Sequence, residues 1–383
     1  MPMVSRMSRL RLDNDAKHLV APSRTTMNNE LTPVIADLVR ERWPGARLAE
    51  LVHLAGDFSA RRYLRARLEG GGAPVSIVVM VLAGSGLPLS SEELGVFPEP
   101  LLELPFLDVH RLLAAIGAPV PAIYVAAVDQ GLLLIEDAGD TVLWDAASAA
   151  PHEAEGLYRR ALDALLILHE RGTGHRPATS IAFKQRLDER LLRWELEHFL
   201  EWGVERRLGL TLSAATRRGY EESFDAVARE IASAESVLSH RDYHSWNILW
   251  RDGRPVIIDF QDAFLAPAEY DVASLLTDRI TPRLIDPAME TRLLAYYWAA
   301  RGRPGVGDRR RYALVALHRA LKVVGRLHYI ALAKGKPAPL EFLPDVVATA
   351  RRFFSELTIP GALASEFAAA SWTDAPRGDA ARS

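Results

Sequence analysis

The run His240-Arg241-Asp242-Tyr243-His244-Ser245-Trp246-Asn247, followed by Asp259-Phe260-Gln261-Asp262, gathers the residue types that phosphoryl transfer needs. That reaction asks little covalent chemistry of a protein. An acceptor hydroxyl must be held in line, and cations must neutralise the charge that develops on the phosphoryl oxygens. Asp242 is predicted to accept the proton of that hydroxyl or to orient it. Asn247 and Asp259 are predicted to bind Mg²⁺, a hard cation that prefers oxygen ligands and keeps phosphate oxygens and water at its other positions. His240 and His244 lie four residues apart, a spacing that on a helix would suit zinc. The segment reads as a loop, so His240 is expected to pack and brace it, and His244 is a candidate contact to substrate or phosphate.

Placing these groups requires a hairpin. Strand-like runs at 247–250 and 256–260 flank Asp252-Gly253-Arg254, which is a hairpin signal. Such a hairpin sets Asn247 and Asp259, twelve residues apart in the chain, side by side. Asp271 falls inside the apolar helical run from Pro267 to Leu276, where an unpaired carboxylate would be costly. Its expected partners are backbone N–H groups of the loop around His240 to Asp242, which makes Asp271 a structural brace.

Further out, the texture of the chain changes once, near 139–150. Upstream, short apolar or alternating runs at 63–68, 75–82, 123–128 and 132–135 predict strands, and one helix is expected over 99–116, stopped by Gly117 and Pro119. Downstream, helical periodicity dominates, at 154–169, 182–202, 212–234, 267–278, 287–300, 308–333 and 344–357. The expectation is an α+β chain. It has an antiparallel-sheet lobe over 30–138 and a larger, mainly helical lobe over 139–363 that carries the hairpin. Residues 1–29 and 364–383 show no sustained period and are expected to be a disordered leader and tail.

Composition narrows the function classes. The 383 residues carry a formal charge of −3, which offers no global field for nucleic acid or an anionic membrane. There is no cysteine, so disulfides, thiolate metal sites and a cysteine nucleophile are excluded. No run of 18 apolar residues suggests a membrane span. The expectation is a cytoplasmic protein acting on a small molecule, with no obligatory protein partner.

Five segments together resemble the aminoglycoside-phosphotransferase and choline-kinase superfamily. They are Gly56 to Tyr63, Leu133 to Gly139, His240 to Asn247, Asp259 to Ala263 and Tyr270 to Leu276. Within it, Gly56 to Tyr63 and the Phe260-Gln261-Asp262-Ala263 piece are most similar to the bacterial anomeric kinases for N-acetylmuramate and N-acetylglucosamine. The resemblance implies a two-lobed, protein-kinase-like fold that binds ATP. Glu136, Asp137 and Ala138 would meet adenine as a hinge, and the turn bearing Ser59 would cover the phosphates. Kinases usually place a lysine on the third strand, whereas residues 75–82 contain none, so Arg61 or Arg62 is the candidate source of that charge. Gln261, Asp262, His244 and Glu195, the last aligned at helical spacing with His198 and Trp202, are candidate acceptor ligands. The leading expectation is a kinase for the anomeric hydroxyl of an amino sugar. An aminoglycoside or amino-alcohol kinase and a nucleotide-binding pseudokinase are the alternatives.

Overall fold

Residues 24–54, 62–82, 103–302 and 308–372 are described by the computed structural model. The chain divides into two units, residues 1–83 with 123–137 and residues 84–122 with 138–383.

The smaller unit is an antiparallel sheet of five strands. These are β1 (Arg47–His53), β2 (Arg62–Glu69), β3 (Ser76–Val81), β4 (Ile123–Ala127) and β5 (Leu132–Glu136), in the spatial order β1-β2-β3-β5-β4. Alternation along β2 sends Leu64, Ala66 and Leu68 to one face. There they meet Val79, Leu132 and Leu134, and Ile35, Val39 and Trp43 from helix α1 (Arg24–Arg42) and its end close the core. The turn between β2 and β3 needs its glycines: Gly71 has φ +60°, and a Cβ there would collide with the backbone of Ala46.

The larger unit is mainly helical. Its chain order is α2 (Pro105–Ala115), α3 (Leu143–Ala149), α4 (Ala154–Leu166), α5 (Glu189–His198), α6 (Ala214–Ala232), β6 (Ser236–Ser239), β7 (Ile248–Arg251), β8 (Arg254–Ile257), β9 (Phe264–Pro267), α7 (Ala268–Thr277), α8 (Pro287–Ala300), α9 (Arg309–Ala333), α10 (Leu343–Glu356) and α11 (Leu363–Ala369). The expected hairpin is β7–β8. Its turn residues Asp252 and Gly253 both take positive φ, +50° and +75°, the two-residue geometry that matches strand twist. The strands β6 and β9, which the sequence pattern does not announce, pair with each other and bracket the loop and hairpin.

Helix α9 is the spine of this unit. It runs parallel to α5 and its π-helical extension, Phe199–Arg206, with Leu192, Glu195, Phe199 and Trp202 beside His318, Lys322, Gly325 and Tyr329. Gly325 permits the close approach, because a Cβ there would press on the backbone of Phe199. That contact sets the register that delivers Lys322 to Glu195.

Three boundaries differ from expectation. Residues 84–122 group with the larger unit, because Asp108 on α2 accepts bonds from Ser180 and the Ile181 N–H, and Phe106 stacks on Phe260. Helix α1 already begins at Arg24, inside the expected leader. The expected tail from residue 364 instead contains most of α11, and Phe367 and Trp372 are buried. Arg207 donates to the Ser371 carbonyl at 2.6 Å and lies over the Trp372 ring. Two large rings five residues apart give this short segment enough apolar area to dock.

Candidate active site

The loop from His240 to Asn247 joins β6 to β7 and is held from behind by Asp271 on α7. Asp271 is fully buried; one carboxylate oxygen accepts the His240 N–H at 2.7 Å and the other the Arg241 N–H at 3.0 Å. His169 adds its Nε2 at 3.1 Å, and Tyr297 meets the opposite ring nitrogen. Burial pushes the Asp271 carboxyl up, but His169 and the loop N–H groups outweigh it and hold the group below its ordinary value. The His240 ring donates to the Ile258 carbonyl at 2.9 Å, tying the loop to the returning strand.

Arg241 takes the left-handed conformation at φ 81°, which turns the chain so that Asp242 projects from the loop. Arg319, from α9, donates to the Arg241 carbonyl at 2.9 Å and to Ser274 Oγ at 2.7 Å, and its Nη2 lies 3.9 Å from Asp242 Oδ1. Lys322, one helical turn further on, faces Glu195 at 2.5 Å and the Tyr270 hydroxyl at 3.4 Å. Desolvation works against the charge on Asp242; Lys322, Arg319 and Arg241 more than offset it and keep the carboxyl well below the usual carboxylate range. Asp242 is therefore an anion throughout the neutral range, suited to orienting a hydroxyl whose proton leaves late.

The hairpin performs the expected juxtaposition. Asn247 Nδ2 donates to the Asp242 carbonyl at 3.0 Å and lies 3.5 Å from Asp259 Oδ2. The Ile258 N–H donates to the Asn247 carbonyl, and Asp259 itself adopts φ +61°, ending the strand and turning its carboxylate toward Asn247. With its amide nitrogen committed inward, Asn247 keeps its Oδ1 as an oxygen donor next to the Asp259 carboxylate. Two oxygen donors with solvent and phosphate positions left over suit Mg²⁺.

Other expected residues take different places. The Gln261 amide, 5% exposed, is spent on Asp259 Oδ1 at 2.8 Å and Asp262 Oδ2 at 3.1 Å. It therefore steadies a metal-ligand candidate instead of facing outward. Glu195 is buried against Lys322, with His318 at 3.5 Å, so its carboxylate serves Lys322. His244 is buried beside Asn247, and burial lowers its pKa, with Asp278 opposing the shift. In the smaller unit, Glu136 ends β5. Asp137 gives its carboxylate to Arg65 at 2.7 and 2.9 Å and to Ser76 at 2.7 Å, which leaves its backbone for a ligand. Ala138 is buried. Arg62 opens β2 opposite Val81, while Ser59 and Arg61 lie outside the described residues.

Arg319, Lys322 and His169 join the site without having been expected there. For Arg319 and Lys322 a signal is present in the chain: an Arg and a Lys in the apolar run from Val315 to Val324 demand partners. What the sequence does not reveal is that those partners lie on α5, α7 and the loop from His240 to Asn247.

An oriented carboxylate, two neighbouring candidate oxygen ligands and a buried cationic support fit a phosphotransferase of protein-kinase-like fold. Comparison with known proteins agrees. The family model described as "Phosphotransferase enzyme family" matches residues 50–315, and the chain belongs to that family. It is 32% identical over 313 residues to the N-acetylmuramate/N-acetylglucosamine kinase of Pseudomonas aeruginosa, covering 80% of this chain and 84% of that one. It is 30% identical over 320 residues to the protein of the same name from Pseudomonas putida, covering 82% and 86%. The fold matches the ADP-bound structure of an aminoglycoside phosphotransferase with a TM-score of 0.52 at 13% identity, over 84% of this chain and 98% of that one. The protein is a nucleotide-using kinase with a small-molecule acceptor. Among the described residues no helix is long and apolar enough to cross a membrane.

Proposed function

We propose that this chain is a cytoplasmic, ATP- and Mg²⁺-dependent kinase that phosphorylates the anomeric hydroxyl of N-acetylmuramate and N-acetylglucosamine, giving the sugar 1-phosphates. The chemistry is carried by one observation, the meeting of Asn247 and Asp259 beside the Asp242 loop. The acceptor follows the two relatives at 32% and 30% identity, each matched over more than four-fifths of its length.

In this reading Asp242 accepts a hydrogen bond from the acceptor hydroxyl and holds its oxygen toward the phosphorus; the proton leaves as the new P–O bond forms. Arg319 and the Asp271 clamp keep the loop from moving while this happens. Asn247 Oδ1 and the Asp259 carboxylate would hold Mg²⁺, which when bound neutralises phosphate charge. Asp242 anchors Asn247 through its own backbone carbonyl, so base and ligand share one rigid frame. The hinge role of Glu136 to Ala138 for adenine belongs to the same proposal, through backbone groups.

The test is ADP release by purified protein with Mg-ATP against N-acetylmuramate, N-acetylglucosamine, an amino alcohol and an aminoglycoside, with phosphorus NMR of the product. Turnover with the two amino sugars and a 1-phosphate product supports the proposal. Turnover confined to amino alcohols or aminoglycosides overturns the acceptor assignment.

A further inference from the structure

Two residues beyond the end of α7, Arg279 sits at φ 46°, a left-handed conformation that residues with a side chain rarely adopt. Strain of this kind persists where surrounding structure enforces it, and it concentrates at ligand sites. Two rings hold the side chain. The guanidinium lies 5.5 Å from the centroid of Trp246, in the catalytic loop, and 5.8 Å from that of Phe342. Its Nε faces Asp278 Oδ2 at 3.5 Å, and the side chain keeps 35% of its surface exposed. Among the described residues nothing hydrogen-bonds its Nη1–Nη2 edge.

Arg279 also lines a small pocket with Asp278, Arg319, Val323 and Val346. One nitrogen of Arg319 links the pocket to the reaction centre, 3.9 Å from Asp242 Oδ1 and 4.0 Å from Asp278 Oδ1. Asp278 is buried, and its Oδ2 lacks a hydrogen-bond donor among the described residues. The cations nearby are unequal. Arg319 is divided between two carboxylates, a carbonyl and a hydroxyl, and Lys322 is paired with Glu195. Of these three cations, Arg279 has the loosest partner.

On the amino-sugar reading given above, we propose that Arg279 is the specificity-determining residue that grips the carboxylate of N-acetylmuramate through its guanidinium fork. N-acetylglucosamine, which lacks that carboxylate, binds without this contact. A site that accepts both sugars needs a cation that tolerates losing its anion. A buried cation could not be left unpaired, whereas a half-exposed guanidinium resting on two rings stays solvated when the neutral sugar is bound.

The experiment compares KM and kcat for both sugars in the wild type, Arg279→Met, Arg279→Lys and Arg279→Gly. The glycine variant relieves the backbone strain, so its folding is secure even if the methionine variant is destabilised. Met and Gly should raise KM for N-acetylmuramate by about ten- to a hundredfold, the worth of a charge-assisted contact, with kcat little changed. KM for N-acetylglucosamine should stay within about twofold, and Lys should recover part of the loss, because it restores charge without the planar fork. Equal effects on both sugars, or on neither, in the folded glycine variant would overturn the role of Arg279 and leave the kinase assignment standing. A wild type that turns over neither sugar would overturn the acceptor assignment and this role with it.

Discussion

Asp271 and Arg319 grip the same residue from opposite sides: Asp271 accepts the Arg241 N–H at 3.0 Å and Arg319 donates to the Arg241 carbonyl at 2.9 Å. Between them Arg241 is kept in a conformation whose intrinsic cost is about 1–3 kcal/mol. The direction of the next side chain, Asp242, depends on that backbone.

Replacing Asp271 by Asn removes one acceptor from a buried pair of N–H groups and the charge that both bonds use. The expected loss of stability is roughly 2–4 kcal/mol, read by urea unfolding. kcat should fall far more than the KM for sugar changes, because the loop loosens without losing a substrate contact. Unchanged stability would show that the loop is held by other means.

Gln261 is the second lever. With its amide on Asp259 Oδ1, Gln261→Leu should raise the Mg²⁺ concentration needed for half-maximal rate by about tenfold or more, since groups behind a metal ligand fix its orientation. The sugar KM should be little altered. The opposite outcome, a sugar KM effect with unchanged Mg²⁺ dependence, would restore Gln261 as an acceptor ligand.

What is legible in the chain is local. The Asp252-Gly253 turn is specified by two adjacent residues, so the meeting of Asn247 with Asp259 follows from the amino-acid order alone. Asp271 is legible because a carboxylate in an apolar helix must find donors. The partners of Lys322 and Arg319 are not legible, since they come from elements more than forty residues away in the chain. Glu195 and Gln261 have side chains that suit an acceptor pocket; burial and neighbours turn them inward instead. The docking of Trp372 is hidden because one short helix has too few turns to show a period.

Acid stability follows from two buried histidines on α9. Burial pushes His318 down to about 4, with Glu195 opposing, and burial likewise pushes His328 down to about 4 against its bond to the Val324 carbonyl. Between that value and the unfolded value near 6.5 the unfolded chain binds more protons. Stability is thus complete above pH 6.5 and is lost as pH falls toward 4, with a slope of up to about 1.4 kcal/mol per pH unit for each histidine. His328→Gln should reduce the slope between about pH 6 and 5 by roughly one proton, measured by urea unfolding at each pH. An unaltered slope would mean that His328 does not titrate on unfolding.

The most direct measurement is ADP release with N-acetylmuramate and Mg-ATP by wild type and Asp242→Asn, alongside nucleotide affinity of each by calorimetry. Sugar-dependent turnover is expected in the wild type, with its loss by about two to four orders of magnitude in the variant and nucleotide affinity nearly unchanged. Retained turnover in Asp242→Asn would contradict the assignment of Asp242, and with it the reaction centre built around the loop from His240 to Asn247.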